Sequence, residues 1–240
     1  MVECTGLENQ HRRKSIESSN LSPSAIGILG DSNGCGEWSK EGHVVHTGLQ
    51  YYLEQKNYQV FNFSTPACDS QNIINQAKAN KKILKKCKYV FVFVTDISRG
   101  IDLKNFWLSE KTIEYYKERN SKRIKKFINQ MDAVGLNNIV ILGVQSPIDP
   151  KIMSEKKFVQ FAFNIFELLF PNINGYEIHF GQHLNTIPQD INKEMIDYVW
   201  QQNQIWQQYQ NSNLLQPDRY HPNRHAHKII FDALVKKYNL

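Results

Sequence analysis

Short, continuous apolar runs alternate along the chain with longer stretches whose apolar residues recur at helical spacing. Residues 25–30 (AIGILG), 58–64 (YQVFNFS), 89–95 (YVFVFVT) and 138–144 (NIVILGV) read as strands, the third being the richest in β-branched and aromatic side chains. YEIHF at 176–180 is expected to add a short fifth strand. Helices are predicted over 43–57, with Val44, Leu49, Tyr52 and Leu53 inward, and over about 69–87. Another is predicted within 105–135, with Tyr115, Ile124, Phe127, Ile128 and Met131 as its inner face. The strongly apolar stretch 158–170 is expected to be a helix packed on the sheet, and 188–212 a polar, Gln-rich helix. A closing helix at 223–238 has Asn223 as its candidate N-cap.

Strands that are apolar throughout must be covered on both faces, which points to a parallel sheet in an α/β protein. In such sheets ligands bind beyond the carboxyl ends of the strands, so the loops after Gly30, Ser64, Thr95 and Val144 belong to one functional end. Residues 1–24 carry charge, Ser and Asn without periodicity and are expected to be a flexible arm, leaving 25–240 as one domain.

The composition, 41% hydrophobic and 22% charged over 240 residues, is that of a globular protein. No run approaches the roughly 20 apolar residues of a membrane span, and the start lacks the apolar core of a secretion signal. A cytoplasmic location is therefore expected, with Cys4, Cys35, Cys68 and Cys87 as reduced thiols. A disulfide between Cys35 and Cys68, both at the functional end, is left open. The net charge of +6 includes a concentration at Lys78, Lys81, Lys82, Lys85, Lys86 and Lys88. Without interleaved aromatics or a reading motif it is a solvated helix face rather than a nucleic-acid interface.

Two motifs carry candidate chemistry. Gly30-Asp31-Ser32-Asn33-Gly34 follows the first strand directly, and a serine there can present its hydroxyl to the crevice, although the same residues would also make an ordinary turn. A serine hydroxyl attacks only when a base lies within hydrogen-bond reach. Pro217-Asp218-Arg219-Tyr220-His221-Pro222-Asn223 lies just before the last helix. An aspartate three residues before a histidine can hold one imidazole tautomer and leave the other nitrogen to take a proton.

Together, ILGDSNG (28–34) and PDRYHPN (217–223) resemble the first and last motif blocks of the GDSL/SGNH hydrolases, a likeness that runs from about residue 25 to the end. The resemblance implies a three-layer, flavodoxin-like α/β/α fold and hydrolysis of an ester, often an acyl group on a sugar or lipid, with no cofactor or metal. It implies Ser32 as nucleophile, His221 as general base and Asp218 as its partner. The middle departs from the family, which usually offers a glycine after the second strand and a Gly-x-Asn-Asp after the third as sources of oxyanion donors. Here those loops read Asn62–Ser70 and Val94–Gly100, with no Gly-x-Asn-Asp.

Three arrangements remain open at that point. Amides near Ser64, Thr65 and Ala67 supply the missing donors, Arg99 supplies charge, or Asp96 binds a substrate hydroxyl. Asp96 and Arg99 are expected to help recognise substrate. The Gly-x-Ser-x-Gly elbow of α/β-hydrolases is discounted because it follows several strands, not one. The pairs His43/His46 and His179/His183 and the trio His221/His225/His227 include no HExxH, and HxxxH at 179–183 falls on an expected strand, so apart from His221 they read as exposed or capping histidines rather than metal ligands. The alternative to an enzyme is a carbohydrate-binding or interaction module, for which Trp107, Trp200, Trp206 and Tyr209 would be the contact surface.

Overall fold

The structure is a computed structural model that describes residues 24–94, 113–144, 148–153, 156–172, 193–210, 212–216 and 221–240. Five strands, β1 (Ile26–Leu29), β4 (Val60–Asn62), β5 (Tyr89–Val94), β6 (Ile139–Gly143) and β7 (Val159–Asn164), form one sheet in the order β4-β1-β5-β6-β7. Every neighbouring pair is parallel. Taken in sequence, these strands have the order 2-1-3-4-5 of flavodoxin-like folds, as the resemblance implied. The order reverses beside β1, so the crevice of such a sheet opens beyond the end of that strand.

Side chains of β5 show how both faces are filled. Val90, Val92 and Val94 enter one core, where α3 (Ser70–Ala79) and α5 (Ile113–Ala133) supply Ile73, Ile74, Ile124, Phe127, Ile128 and Met131. Phe91 and Phe93 point the opposite way. They meet α2 (Leu49–Gln55), α6 (Ile165–Leu169), α7 (Lys193–Gln210) and α8 (Arg224–Tyr238) through Leu49, Leu53, Phe166, Trp206, Ile230 and Leu234. This alternation follows from the two-residue period of a strand. Trp206 is fully buried, whereas Trp200 is 52% exposed.

Three predicted elements take a different form. The segment 43–57 is not one helix: Val44–His46 is β3, paired antiparallel with β2 (Glu37–Trp38), and α2 starts only at Leu49. Gly48, at φ 56, separates the two, and the adjacent β-branched Val44 and Val45 favour an extended chain with both side chains exposed. The stretch 158–170 is strand β7 followed by the short α6, so the fifth strand of the sheet lies there. A short apolar run cannot distinguish strand from helix by periodicity, and here Ala162 is an extra residue at a register shift that blurs the alternation. The region 69–87 is split at Asn80 into α3 and α4 (Lys81–Leu84). The expected strand at 176–180 and all but the last residue of the expected arm lie outside the described residues.

Candidate active site

Strand β1 delivers Gly30 to a position where a β-carbon would come within 2.8 Å of Phe93 Cβ, so only glycine lets the chain turn there. The next residue, the fully buried Asp31, caps the one-turn helix α1 (Ser32–Cys35). Its carboxylate accepts from the Asn33 backbone and side-chain nitrogens, each at 3.0 Å. Ser32 is therefore the first residue of a short, capped helix at the carboxyl end of the sheet. Trp38 Nε1 donates to the Ser32 carbonyl at 3.1 Å from the β2–β3 hairpin.

His221 arrives from the other end of the sequence on a return loop pinned at its base. Leu215 and Pro222 form an antiparallel bridge, Gln216 N donates to His221 O at 2.8 Å, and Asn223 N donates to Leu214 O at 3.0 Å. Asn223 also caps α8, its side-chain oxygen accepting from the amides of His225 and Ala226. The result is a hydrogen bond of 2.8 Å between Ser32 Oγ and His221 Nε2, across 189 residues of sequence. Asp218, Asp96 and Arg99 lie outside the described residues.

The loop after β4 packs directly on α1. Asn62 joins them, donating to Gly34 O at 2.9 Å while its side-chain oxygen accepts from Ser64 N at 3.0 Å. Thr65 N donates to Gly30 O at 3.1 Å, so the backbone amides of both Ser64 and Thr65 are occupied. The Ser64 hydroxyl is buried with no hydrogen-bond partner among the described residues. Ala67 has a left-handed backbone, φ 58, and its amide has no acceptor among the described residues.

Gln76, on α3, is the organising side chain that the sequence did not reveal. Its Oε1 accepts from Gly30 N at 3.3 Å, and its Nε2 lies within hydrogen-bond distance of Gly30 O, Thr65 Oγ1 and Cys68 Sγ. Both peptide groups of the glycine before the Asp31–Ser32 turn are thereby fixed from a helix 46 residues away. Nothing in local sequence separates such a glutamine from an exposed one. Cys35 and Cys68 are not joined by a disulfide, and Thr65 Oγ1 is 2.9 Å from Cys68 Sγ. Burial above all, then the Asp31 carboxylate and Cys68, push the Cys35 thiol up to about 12.

A cavity of about 480 Å³ opens over Ser32 and His221, with Trp38, Lys40, Pro66 and Gln216 on its walls. The hairpin wall is tied to α8 by Glu37, whose carboxylate accepts from Arg224 Nε at 2.7 Å and from Arg224 N at 3.0 Å. Burial pushes the Glu37 carboxyl up, but the Arg224 hydrogen bonds and charge outweigh it and hold the group below its ordinary value. Behind the site, His227 of α8 is fully buried and neither ring nitrogen has a hydrogen-bond partner among the described residues. Burial first, then His46, lowers it to about 4. The arrangement can move a proton from a hydroxyl to an imidazole at the floor of a cleft large enough for a small ester.

No family model matches the chain. No curated protein sequence matches it either. Solved structures align along most of its length at low identity. LAE5, an alpha/beta hydrolase enzyme from the metagenome of Lake Arreo, Spain, is 14% identical over 92% of this chain and 97% of its own, with a TM-score of 0.45. The lipase/acylhydrolase from Enterococcus faecalis is 13% identical over 89% and 94%, with a TM-score of 0.42. The psychrotrophic esterase EstA from Pseudoalteromonas sp. is 16% identical over 90% and 98%, with a TM-score of 0.39. Among the described residues no helix is long and apolar enough to cross a membrane.

Proposed function

We propose that the protein is a serine ester hydrolase acting through an acyl-enzyme, with Ser32 as nucleophile, His221 as general base and Asp218 as the acid that orients it. The observation that carries this reading is the 2.8 Å contact between Ser32 Oγ and His221 Nε2 at the floor of the cavity. A neutral imidazole with Nε2 unprotonated accepts the serine proton as Oγ bonds to the ester carbonyl carbon. The tetrahedral oxyanion then collapses, the carbon–alkoxy bond breaks, and His221 returns its proton to the departing alcohol. Water, giving a proton to the same nitrogen, attacks the acyl-serine. The second tetrahedral oxyanion collapses, the acyl carbon–Oγ bond breaks, and His221 returns the proton to Ser32 Oγ as the acid leaves. With Nε2 facing Ser32, an orienting carboxylate belongs at Nδ1, the place given to Asp218.

The oxyanion donors fit the same scheme. Ser32 N, at the head of α1, has no acceptor among the described residues, and Ala67 N follows Pro66 on the cavity wall. These two amides are the proposed donors, each worth about 3–4 kcal/mol of transition-state stabilisation. The substrate is a small-molecule or glycan ester, with Asp96 and Arg99 assigned to its recognition. The test is hydrolysis of short-chain p-nitrophenyl esters by wild type and Ser32→Ala. Activity confined to the wild type is expected. Equal rates in both proteins would move the nucleophile elsewhere.

A further inference from the structure

Among the described residues that line the cavity, Lys40 is the one lysine, arginine, aspartate or glutamate. Lys40 sits in the turn between β2 and β3, held at its base by Ser39 N donating to His43 O at 2.7 Å. The Ser39 hydroxyl also accepts from the amides of Glu41 and His43. The turn is thus a built loop, and the hairpin that bears it is locked to the site by Trp38 Nε1 on Ser32 O and by Glu37 on Arg224. Of the two acids closest in sequence, Glu37 is paired with Arg224, and the Glu41 carboxylate takes its side-chain hydrogen bond from Ser39 rather than from Lys40. Lys40 itself has no ion pair or hydrogen bond among the described residues, although it borders the space where a substrate would lie.

We propose that Lys40 selects esters bearing a negatively charged group, a carboxylate, phosphate or sulfate carried on the acyl or the alcohol portion. The assignment rests on the reading of Ser32 as an ester-hydrolysing nucleophile. An anion in the cleft meets an ammonium with no ion-pair partner among the described residues, beside low-dielectric walls of indole and proline, while a neutral ester of the same shape gains nothing from it. Because Lys40 is solvent-exposed, its contribution is that of a screened contact, a preference of about fivefold that weakens with salt.

The experiment compares kcat/KM for matched pairs of esters. The pair 4-acetoxybenzoate and its methyl ester places the charge on the alcohol side. The pair mono-4-nitrophenyl glutarate and 4-nitrophenyl valerate places it on the acyl side. In wild type the anionic member of one pair is expected to lead by about fivefold at low salt. That ratio collapses toward one in Lys40→Met, survives in Lys40→Arg and inverts in Lys40→Glu. A wild type that prefers the neutral ester in both pairs, or a ratio that Lys40→Met leaves unchanged, overturns the proposal. Turnover of the neutral esters, and its loss in Ser32→Ala, reports separately on the hydrolase reading. Were no ester turned over, calorimetric titration with 4-hydroxybenzoate and methyl 4-hydroxybenzoate would still decide. Tighter binding of the anion that is lost in Lys40→Met upholds the role of Lys40, and equal affinities overturn it.

Discussion

Gly34 and Ser64 are packed so closely that a β-carbon on Gly34 would lie 3.0 Å from Ser64 Cβ and closer still to its hydroxyl. The glycine that ends the Gly-Asp-Ser-Asn-Gly motif is therefore a spacing residue as much as a turn residue. It lets the helix bearing Ser32 rest on the loop after β4. Gly34→Ala should cost about 1–3 kcal/mol by overpacking and lower the hydrolysis rate, because α1 must shift. Ser64→Gly in the same chain removes the obstructing atoms and should restore both urea stability and rate. A single Gly34→Ala variant with wild-type stability would show that the contact relaxes without moving α1.

Gln76 holds the peptide groups of Gly30 from outside the site. Gln76→Ala should lose about 1–3 kcal/mol of stability through the unmade hydrogen bonds. Its effect on p-nitrophenyl ester hydrolysis should fall on kcat more than on KM, since what moves is the turn that seats Ser32, the proposed nucleophile, rather than the cavity wall. Steady-state kinetics beside urea denaturation checks both parts.

His227 predicts a loss of stability in acid. Its ordinary value of 6.5 is lowered to about 4 in the folded protein. Above 6.5 the ring is neutral in both states and contributes no pH dependence. Between 6.5 and 4 the unfolded chain takes up a proton that the folded one refuses, so stability falls as pH falls, by about 3 kcal/mol in all, and levels off below 4. Glu37, whose folded value is lowered, loses its contribution in the same direction at the acid end of that range. His227→Leu should flatten the decline between pH 6.5 and 4 in urea denaturation. A slope identical to that of the wild type would assign the acid sensitivity to other groups.

Ala67 bears a side chain at φ 58, where an L-residue other than glycine is strained by about 1–2 kcal/mol. Ala67→Gly relieves that strain but loosens the unfolded chain, so stability should stay level or rise by up to about 1 kcal/mol, with hydrolysis kept. Ala67→Val, branched at the β-carbon, should destabilise the loop by about 1–2 kcal/mol and slow the reaction if the Ala67 amide serves the oxyanion. Thermal melts and initial rates of the two variants separate these outcomes.

The sheet was legible because three of its strands are continuous apolar runs and a fourth, at 58–64, is mostly aromatic and β-branched, and the order of crossovers leaves few alternatives. The inner face of α5 was legible as well: Ile124, Phe127, Ile128 and Met131 are buried as the spacing required. The hairpin at 37–46 was not, because grouping Val44 with Leu49, Tyr52 and Leu53 as one helical face goes against the β-preference of Val44 and Val45. The strand Val159–Asn164 was hidden by its extra residue, Ala162, which breaks the two-residue alternation. In the candidate site, Ser32 and His221 stand out as residue types in motif positions. Gln76, Trp38 and the Glu37–Arg224 pair do not, since their roles exist only once distant segments meet.

The separation of Ser32 from His221 by 189 residues has a consequence for the order in which the molecule is made. During synthesis, the strand and turn bearing Ser32 emerge early and can fold against β4 and β5. The Ser32 hydroxyl then lacks its imidazole partner, because His221 is made 189 residues later, just ahead of the α8 helix that anchors it. The second core stays open over the same interval, since Ile230 and Leu234 of α8 complete it beside Leu49 and Leu53. Completing the second core and bringing His221 to Ser32 thus depend on the same late-made stretch of chain.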